Sequence, residues 1–598
     1  MTTAELYLNE RLDHLGIVAG VCQEIGLACW LDAQDPGNRQ QVSVGTATVA
    51  MILNGLGFSN RQLYLVPQYF ANKPIGHLLG AGIKAEMLND DCLGRTLDWL
   101  YAHDPTKLFA GIASQARQVF GITTRQVHVD TTSFSVSGAY SSAGERVEEP
   151  CKTAEAMEAE TALIAITYGY SRDHREDLKQ WMLALATTHE GDVPLFLQPL
   201  DGNSSDKVSL LAAVMAIQKQ LREADAEPSV YVADNGIYSE PNMRQLNAAG
   251  IKWISRVSET STEAKTVLQE GSQDWQRSQD GSIQWFCREM ELPQGSERWV
   301  IVRTAASEQR AQASLQRQVS RAQTSWERKC WHLSTRRFAC EADARAALEH
   351  ELKGKPTWLE VHHDVVAHPR HAGKGRPRKD ASPATHQWQI VATVTVNKPR
   401  VDEEALRKAC FIVGTNELES EVLSDQELVT TYKEQGGVER GFRFLKDPLF
   451  LASSVFVKKP ERIIALSLIM VLCLLVYRLA EYRLRARLAE TAQTIPDQVQ
   501  KPTARPTMRW VFQSFEGIEL LHVQTSATSL TIVLRLESVH RLILALLGPL
   551  YEKIYHPSVC WLLGTSIRKE DGFALAFFIF LVALGEKLYT CRCVLLYR

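Results

Sequence analysis

The chain lacks a basic, apolar leader, a cysteine–histidine cluster, a low-complexity tract and an excess of either charge, and each absence removes a class of function. "MTTAELYLNERLDHLG" has no basic start followed by an apolar stretch, so no secretory signal is expected. Two apolar runs, Ile463 to Tyr477 (framed by Arg462 and Arg478) and "GFALAFFIFLVALG" at 572–585, are too short for a membrane span, which takes roughly 18 residues. Both read as buried helices. The twelve cysteines are scattered, and the nearest pair, Cys591 and Cys593, has no His or Cys partner at zinc-site spacing. This describes a reduced, cytoplasmic protein without a structural metal. A formal net charge of −3 leaves no global basic signature, so a polyanionic partner has to be held by local patches.

What is present is an ordinary globular composition, 45% hydrophobic and 23% charged, over 598 residues. That length is too great for one core and suggests roughly three to five units. Residues 1–120 read as a helical domain for DNA-end binding or dimerisation, with apolar positions at helical spacing in "ERLDHLGIVAGVCQEIGL" and "TATVAMILNGLGF". From residue 121 the texture changes. "RQVHVDTTSFSVSG", "TALIAITYGY" (161–170), "PLFLQPLDG" (194–202), "SVYVADNGIYS" and "IKWISRVS" read as strands. A helix opens near Ser204, Ser205 or Asp206, and another covers 239–248. Three strands followed by alternating helices and strands imply an α/β fold, a mixed sheet flanked by helices over 121–259. Residues 260–400 break the pattern as a β-rich, basic insertion, and 401–493 resume it. "TIPDQVQKPTARPT" (494–507) reads as a linker opening a C-terminal region, 494–555, before an atypical apolar tail, 556–598.

The segment "YKEQGGVERGFRFLK" (432–446) carries the chemistry. On one helix Tyr432, Gln435, Glu439, Arg443 and Lys446 share a face that holds a phenol, an amide, a carboxylate and cations where a core helix would show Leu or Val. An isolated window of this kind reads as a solvated, charge-laced face. Two further acids stand at strand positions: Asp130 beside Thr131 and Thr132, and Asp234 before Gly236. Each alone serves equally well as a turn aspartate. If their strands are neighbours, they converge, and a helix across that edge adds Glu439. Three such carboxylates call for cations, and hard oxygen ligands suit Mg²⁺, with Mn²⁺ able to substitute. Two ions of this kind activate a water or 3′-hydroxyl for in-line attack on a phosphate.

On these residues the chain resembles a DDE-type transposase of the insertion-sequence "four" superfamily, in particular its group numbered sixteen-thirty-four. The superfamily's mark is Tyr, two residues, Arg, three residues, Glu, six residues, Lys. Here Tyr432, Glu439 and Lys446 match, and Gln435 stands where Arg is usual. "VDTTSFSV", "GYSRDHREDLKQ", "LDGNSSD" and "VADNGIYS" also resemble blocks of that group, and the similarity runs to about Tyr555. The resemblance implies a ribonuclease-H-like fold with a β-rich insertion before the catalytic Glu. It makes Asp130, Asp234 and Glu439 the catalytic, metal-binding triad, and Tyr432 and Lys446 holders of the transposon-end phosphates. Gln435 brings a hydrogen bond without charge, leaving Arg440 or Arg443 to compensate. Implied partners are double-stranded DNA, as terminal inverted repeats and as target, and a second copy of the chain in an end-paired homodimer. A bacterial, nucleoid-associated location without a membrane partner goes with this.

Two basic features fit a DNA substrate. From Arg298 to Arg337 there are nine Lys or Arg against Glu308 and Glu327, and Arg310, Arg317, Arg321 and Arg328 share a helical face. The loop "GKGRPRK", with Lys374, Arg376, Arg378 and Lys379, resembles the Gly-Arg-Pro core of minor-groove hooks. A solvated helix and a flexible basic loop are the plain alternatives. Trp275, Trp285, Trp299, Trp326 and Trp388 enrich the same block in aromatics, for core packing or for stacking on an extruded base. The expected activity is DNA cleavage and 3′-end joining. A nuclease on the same fold without strand transfer, or a DNA-binding relic without catalysis, are the alternatives.

Overall fold

The computed structural model describes residues 6–36, 40–58, 63–136, 164–171, 175–224, 230–270, 274–371, 385–447, 459–524 and 529–556. The apolar run at 572–585 and the tail after His556 lie outside them.

The N-terminal part is a strand, β1 (Leu6–Arg11), and seven helices: α1 (Leu15–Glu24), α2 (Leu27–Ala33), α3 (Val44–Gly55), α4 (Val66–Phe70), α5 (Ile75–Leu79), α6 (Asp90–Ala102) and α7 (Pro105–Phe120). Asp104 caps α7 by accepting from Thr106 and Lys107 N–H, with a Pro at its first position and left-handed Gly121 at its end.

Nine strands then form one sheet. In chain order they are β2 (Gln126–Val136), β3 (Lys179–Thr188), β4 (Pro194–Leu200), β5 (Val230–Ala233), β6 (Trp253–Arg256), β7 (Gln276–Arg277), β8 (Ile283–Leu292) and β9 (Gly295–Thr304). After the separate hairpin β10 (Leu359–Arg370) and β11 (Thr385–Val396), the ninth is β12 (Phe411–Thr415). The spatial order is β4-β3-β2-β5-β6-β12-β9-β8-β7. The pairs β2·β5 and β5·β6 are parallel and the others antiparallel, so the sheet is mixed. Strands β7–β9, from the stretch read as an insertion, thus extend the main sheet, and the β10–β11 hairpin packs apart from it.

One strand expectation is corrected. Within the described part of 161–170 there is a single bridge, Thr167 to Gln180, and the third strand is β3, "KQWMLALATT". Nine of its ten residues are buried, because both faces of the sheet are covered there. A strand buried on both sides has no apolar–polar alternation to read. Gln180 explains why the two flanking sequence blocks lie close. Its amide donates to the carbonyls of Gly202 (2.7 Å) and Tyr170 (3.2 Å). A Cβ on Gly202 would stand 2.0 Å from the Gln180 carbonyl, so only glycine fits.

Helices cover both faces. On one, α8 (Asp206–Glu223) and α9 (Glu240–Ala248) pack Leu210, Val214, Ile217 and Met243 against Val127, Val129 and Ala186. The other face meets α14 (Asp425–Lys433), α15 (Gly436–Leu445) and α16 (Pro460–Glu490), after α10 (Thr262–Glu270), α11 (Ala305–Thr335), α12 (Glu341–Leu352) and α13 (Lys398–Ala409) have intervened in the chain. Helix α16 contains the first apolar run. It is long and apolar enough to cross a membrane, yet its apolar window is wholly buried within the fold. It packs against α1, α3, α6 and α7. The described part closes with the short strands β13 (Ile495–Pro496) and β14 (Pro502–Thr503), α17 (Met508–Ser514), β15 (Glu519–Gln524), β16 (Ser529–Leu534), α18 (Ser538–Leu547) and α19 (Pro549–Ile554). The stretch read as a linker is therefore a small hairpin, held by buried Ile495 and by Trp510 Nε1 donating to the Pro496 carbonyl. Strand β15 pairs with β1, so the two ends of the described chain share one core.

Candidate active site

The shared face of 432–446 is divided between two helices, which corrects the reading of one helix. Ser424 caps α14 by accepting from Glu427 N–H, and α14 ends at Lys433. Gln435 is the N-cap of α15. Between them the backbone bonds tighten to three-residue spacing: Gln435 N to Tyr432 O, Gly437 N to Glu434 O, and Val438 N to Gln435 O. Both glycines of "QGGV" stand at this joint. A Cβ on Gly437 would lie 2.1 Å from Asp192 Oδ1, and one on Gly441 would lie 3.2 Å from Leu474 of α16. Helix α15 thus sits close on the sheet and on α16, burying Val438, Phe442 and Leu445 and exposing Glu439 and Arg443.

The strand register sets the two aspartates at neighbouring positions. Strands β2 and β5 run parallel with Val129 opposite Ala233, so Asp130 and Asp234 are the next pair along, on strands about 4.8 Å apart. Side chains alternate along β2, and Phe134 and Val136 lie in the core shared with α15 while Val127 and Val129 face α8. Asp130 is in phase with Phe134, on the face that α15 covers. Its carboxylate accepts from Thr131 N–H at 2.7 Å. Asp234 is exposed, and Tyr432 donates to it from the phenol at 3.2 Å. Burial, then the charge of Asp234, and more weakly that of Glu439, push the Tyr432 pKa well up, keeping the phenol a neutral donor.

Carboxylate oxygens are the right donors for a hard divalent ion, and no described Lys or Arg forms an ion pair with Asp234 or Glu439. Among the described residues no three His, Cys, Asp or Glu side chains close into a metal-holding group. Asp130 and Asp234 stand at neighbouring positions of adjacent strands, and Glu439 is exposed on the helix that follows α14.

The cations are placed less uniformly. Arg440 donates to Asp192 at 2.8 Å, so its charge is already matched. The Lys446 ammonium stands over the Phe134 ring at 5.7 Å. Gln435 is half-buried at the joint. Helix α11 forms as expected, with Arg310, Arg317, Arg321 and Arg328 exposed opposite buried Leu315, Val319 and Trp326. Two arginines of the basic run have structural partners: Arg298 is buried against Asp425 at 3.0 Å, and Arg303 meets Glu308 at 3.0 Å. Lys374, Arg376, Arg378 and Lys379 lie outside the described residues. Trp285, Trp299 and Trp326 are buried, whereas Trp331, which the sequence reading passed over, is 62% exposed. Asp192 was also missed. It sits with positive φ beside Gly191 in the β3–β4 turn, and the "EGDV" turn chemistry was its only local signal.

A family described as "Transposase DDE domain" matches residues 127–476, more than half of the chain. The chain belongs to the DDE transposase family. A second family, "Domain of unknown function (DUF4277)", matches residues 7–114, the helical N-terminal part of this transposase. No curated protein matches the chain. A solved structure described as the "Cryo-EM structure of piggyBac transposase synaptic complex with hairpin DNA" aligns with 11% identity and a TM-score of 0.34. The alignment covers 84% of this chain and 79% of that one.

Proposed function

We propose that this DDE transposase binds the terminal inverted repeats of an insertion sequence, cleaves DNA there and joins the 3′ ends to a target, using Asp130, Asp234 and Glu439. The observation that carries this is the parallel register of β2 and β5, which makes Asp130 and Asp234 neighbours on the face beneath α15. We assign the sheet to the ribonuclease-H-like class and the chain to the insertion-sequence "four" superfamily on the Tyr432–Glu439–Lys446 spacing. The end-paired homodimer follows from that resemblance. We read 1–120 as the part for DNA-end binding or dimerisation, 121–259 and 401–493 as the two parts of the catalytic core, and 260–400 as a basic insertion whose β7–β9 join the sheet.

Asp130 and Asp234, joined by Glu439, would hold Mg²⁺ or Mn²⁺. When bound, such ions lower the pKa of the attacking water or 3′-hydroxyl and stabilise the leaving oxygen. Tyr432 fixes the orientation of the Asp234 carboxylate through its phenol, and remains a donor because its proton is held tightly. Arg443, one turn beyond Glu439 on the exposed face of α15, meets the phosphate backbone beside the cut. Lys446, at the end of that helix, adds charge from above Phe134. Gly437 and Gly441 let α15 approach closely enough to carry Glu439 to the strand ends.

The test is an end-labelled duplex carrying the element's terminal repeat, incubated with protein, Mg²⁺ and a target plasmid. Joined product is expected. Cleavage without joined product would make the protein a nuclease, and binding without cleavage would make it a relic.

A further inference from the structure

An arginine-rich cleft adjoins α15, where α15, α16 and the start of α17 with the segment before it meet. The cleft has a volume of about 720 Å³ and is lined by Arg440 and Arg443 from α15, Arg478 and Arg485 from α16, and Arg505 and Arg509 from the C-terminal segment. Three carboxylates answer these six arginines. Asp192 meets Arg440 (2.8 Å) and Arg478 (3.7 Å), Glu481 meets Arg478 (2.6 Å) and Arg485 (2.8 Å), and Asp447 meets Arg509 (2.7 Å). Among the described residues Arg443 and Arg505 have no carboxylate partner. Arg478 is 6% exposed, and its buried Nε has no hydrogen-bond partner. A buried guanidinium donor left unmatched is costly. Burial, with Arg478 and Arg505 nearby, pulls the Arg485 pKa below its ordinary value against the opposing pull of Glu481.

We infer that this cleft is a backbone-phosphate subsite for the substrate duplex, reached by the strand as it leaves the carboxylate edge past Arg443. Guanidinium forks match phosphate oxygens in pairs, and a crowded, net positive cleft supplies what a polyanion needs. The inference rests on the transposase reading and adds Arg478, Arg485, Arg505 and Arg509 to the DNA-binding surface. None of the four stands in the signature segment, so a chain segment far from Glu439 in sequence would set how the DNA leaves the active site.

Arg505 gives the cleanest test, because it is exposed and its side chain has no ion-pair partner among the described residues. Binding of a fluorescent duplex is measured across a salt series for wild type, Arg505→Gln and Arg505→Lys, with melting temperature as the control for folding. The expected result for Arg505→Gln is a severalfold weaker affinity and a salt slope smaller by about one, at unchanged melting temperature. Arg505→Lys should restore the slope. Equal affinity and slope in wild type and Arg505→Gln would overturn the subsite while leaving the transposase reading standing. Protection of wild type by inorganic phosphate, with duplex slopes still equal, would overturn it in favour of a small-anion site. Failure of wild type itself to bind any duplex would sink both readings.

Discussion

Helices α11 and α16 each run for 31 residues, and their surroundings are opposite. Helix α16 is buried at nearly every position from Ile463 to Glu481, with N-terminal helices on one side and α15 on another. Helix α11 buries a narrow stripe, from Ala311 through Leu315 and Val319 to Leu333, and shows its arginines to solvent. A helix apolar all round must be wrapped, whereas a one-stripe helix keeps a free face. In this transposase the wrapped helix packs against α15, which carries Glu439, and the free face shows exposed arginines. On the proposed function, position and affinity are separated: α16 would govern whether the active site is assembled, and α11 how firmly DNA is held.

The largest break of this comparison is a charge in the platform. Leu472→Asp buries an unpaired carboxylate and should abolish cooperative thermal unfolding. Gln316→Asp on the exposed side of α11 should leave stability within about 0.5 kcal/mol. Calorimetry of both variants tests the contrast.

Acid comes next. His14 stacks on Phe512 at 4.4 Å, beside Tyr477 of α16, and donates from Nε2–H to the Leu56 carbonyl at 2.8 Å. Burial lowers its pKa from 6.5 to about 4. The folded state therefore holds this imidazole neutral, and the unfolded chain binds the proton first. Stability from this group is complete above about pH 6.5 and is lost as pH falls toward 4, by an amount on the order of 3 kcal/mol. Melting temperatures over that range should fall, and His14→Phe should flatten part of the slope.

Gly441→Val is a smaller and more local change. Its branches would press on Leu474 and Leu185, costing about 1–3 kcal/mol, and lifting α15 should cut DNA cleavage far more than DNA binding. The smallest effect belongs to α11. Arg317→Gln and Arg321→Gln should each weaken duplex binding severalfold and reduce the salt slope by about one, with unchanged melting. Full-strength binding by the double variant would remove α11 from the DNA surface.

How much of this was legible follows the same division. Asp130 and Asp234 could be picked out because each ends or interrupts an apolar strand, and Glu439 because a carboxylate stood where a core helix needs Leu. Their convergence was conditional on strand neighbours 104 positions apart, and the β2–β5 register supplies that condition. Strand β3 was hidden by its own burial, since alternation vanishes when both faces are covered. The break before α15 was marked by Gly436 and Gly437, but helical spacing carries on across a three-residue hydrogen-bond step and masks it. Asp192 gave only a turn signal and the arginines of α16 gave none, because their roles come from contacts between distant segments, such as Arg440 with Asp192. Arg298 shows the converse: it sits in a basic run yet is buried against Asp425.

The account stands or falls on Glu439. The direct measurement is cleavage of labelled terminal-repeat DNA in Mg²⁺ and in Mn²⁺ by wild type and by Glu439→Gln, with binding of the same duplex measured in parallel. Wild type should cleave with either ion, and Glu439→Gln should bind equally well and lose cleavage by at least a hundredfold, a barrier increase of about 2.7 kcal/mol. Equal cleavage by the two proteins would show that the carboxylate on α15 does not serve the reaction, and the proposed active site would be wrong.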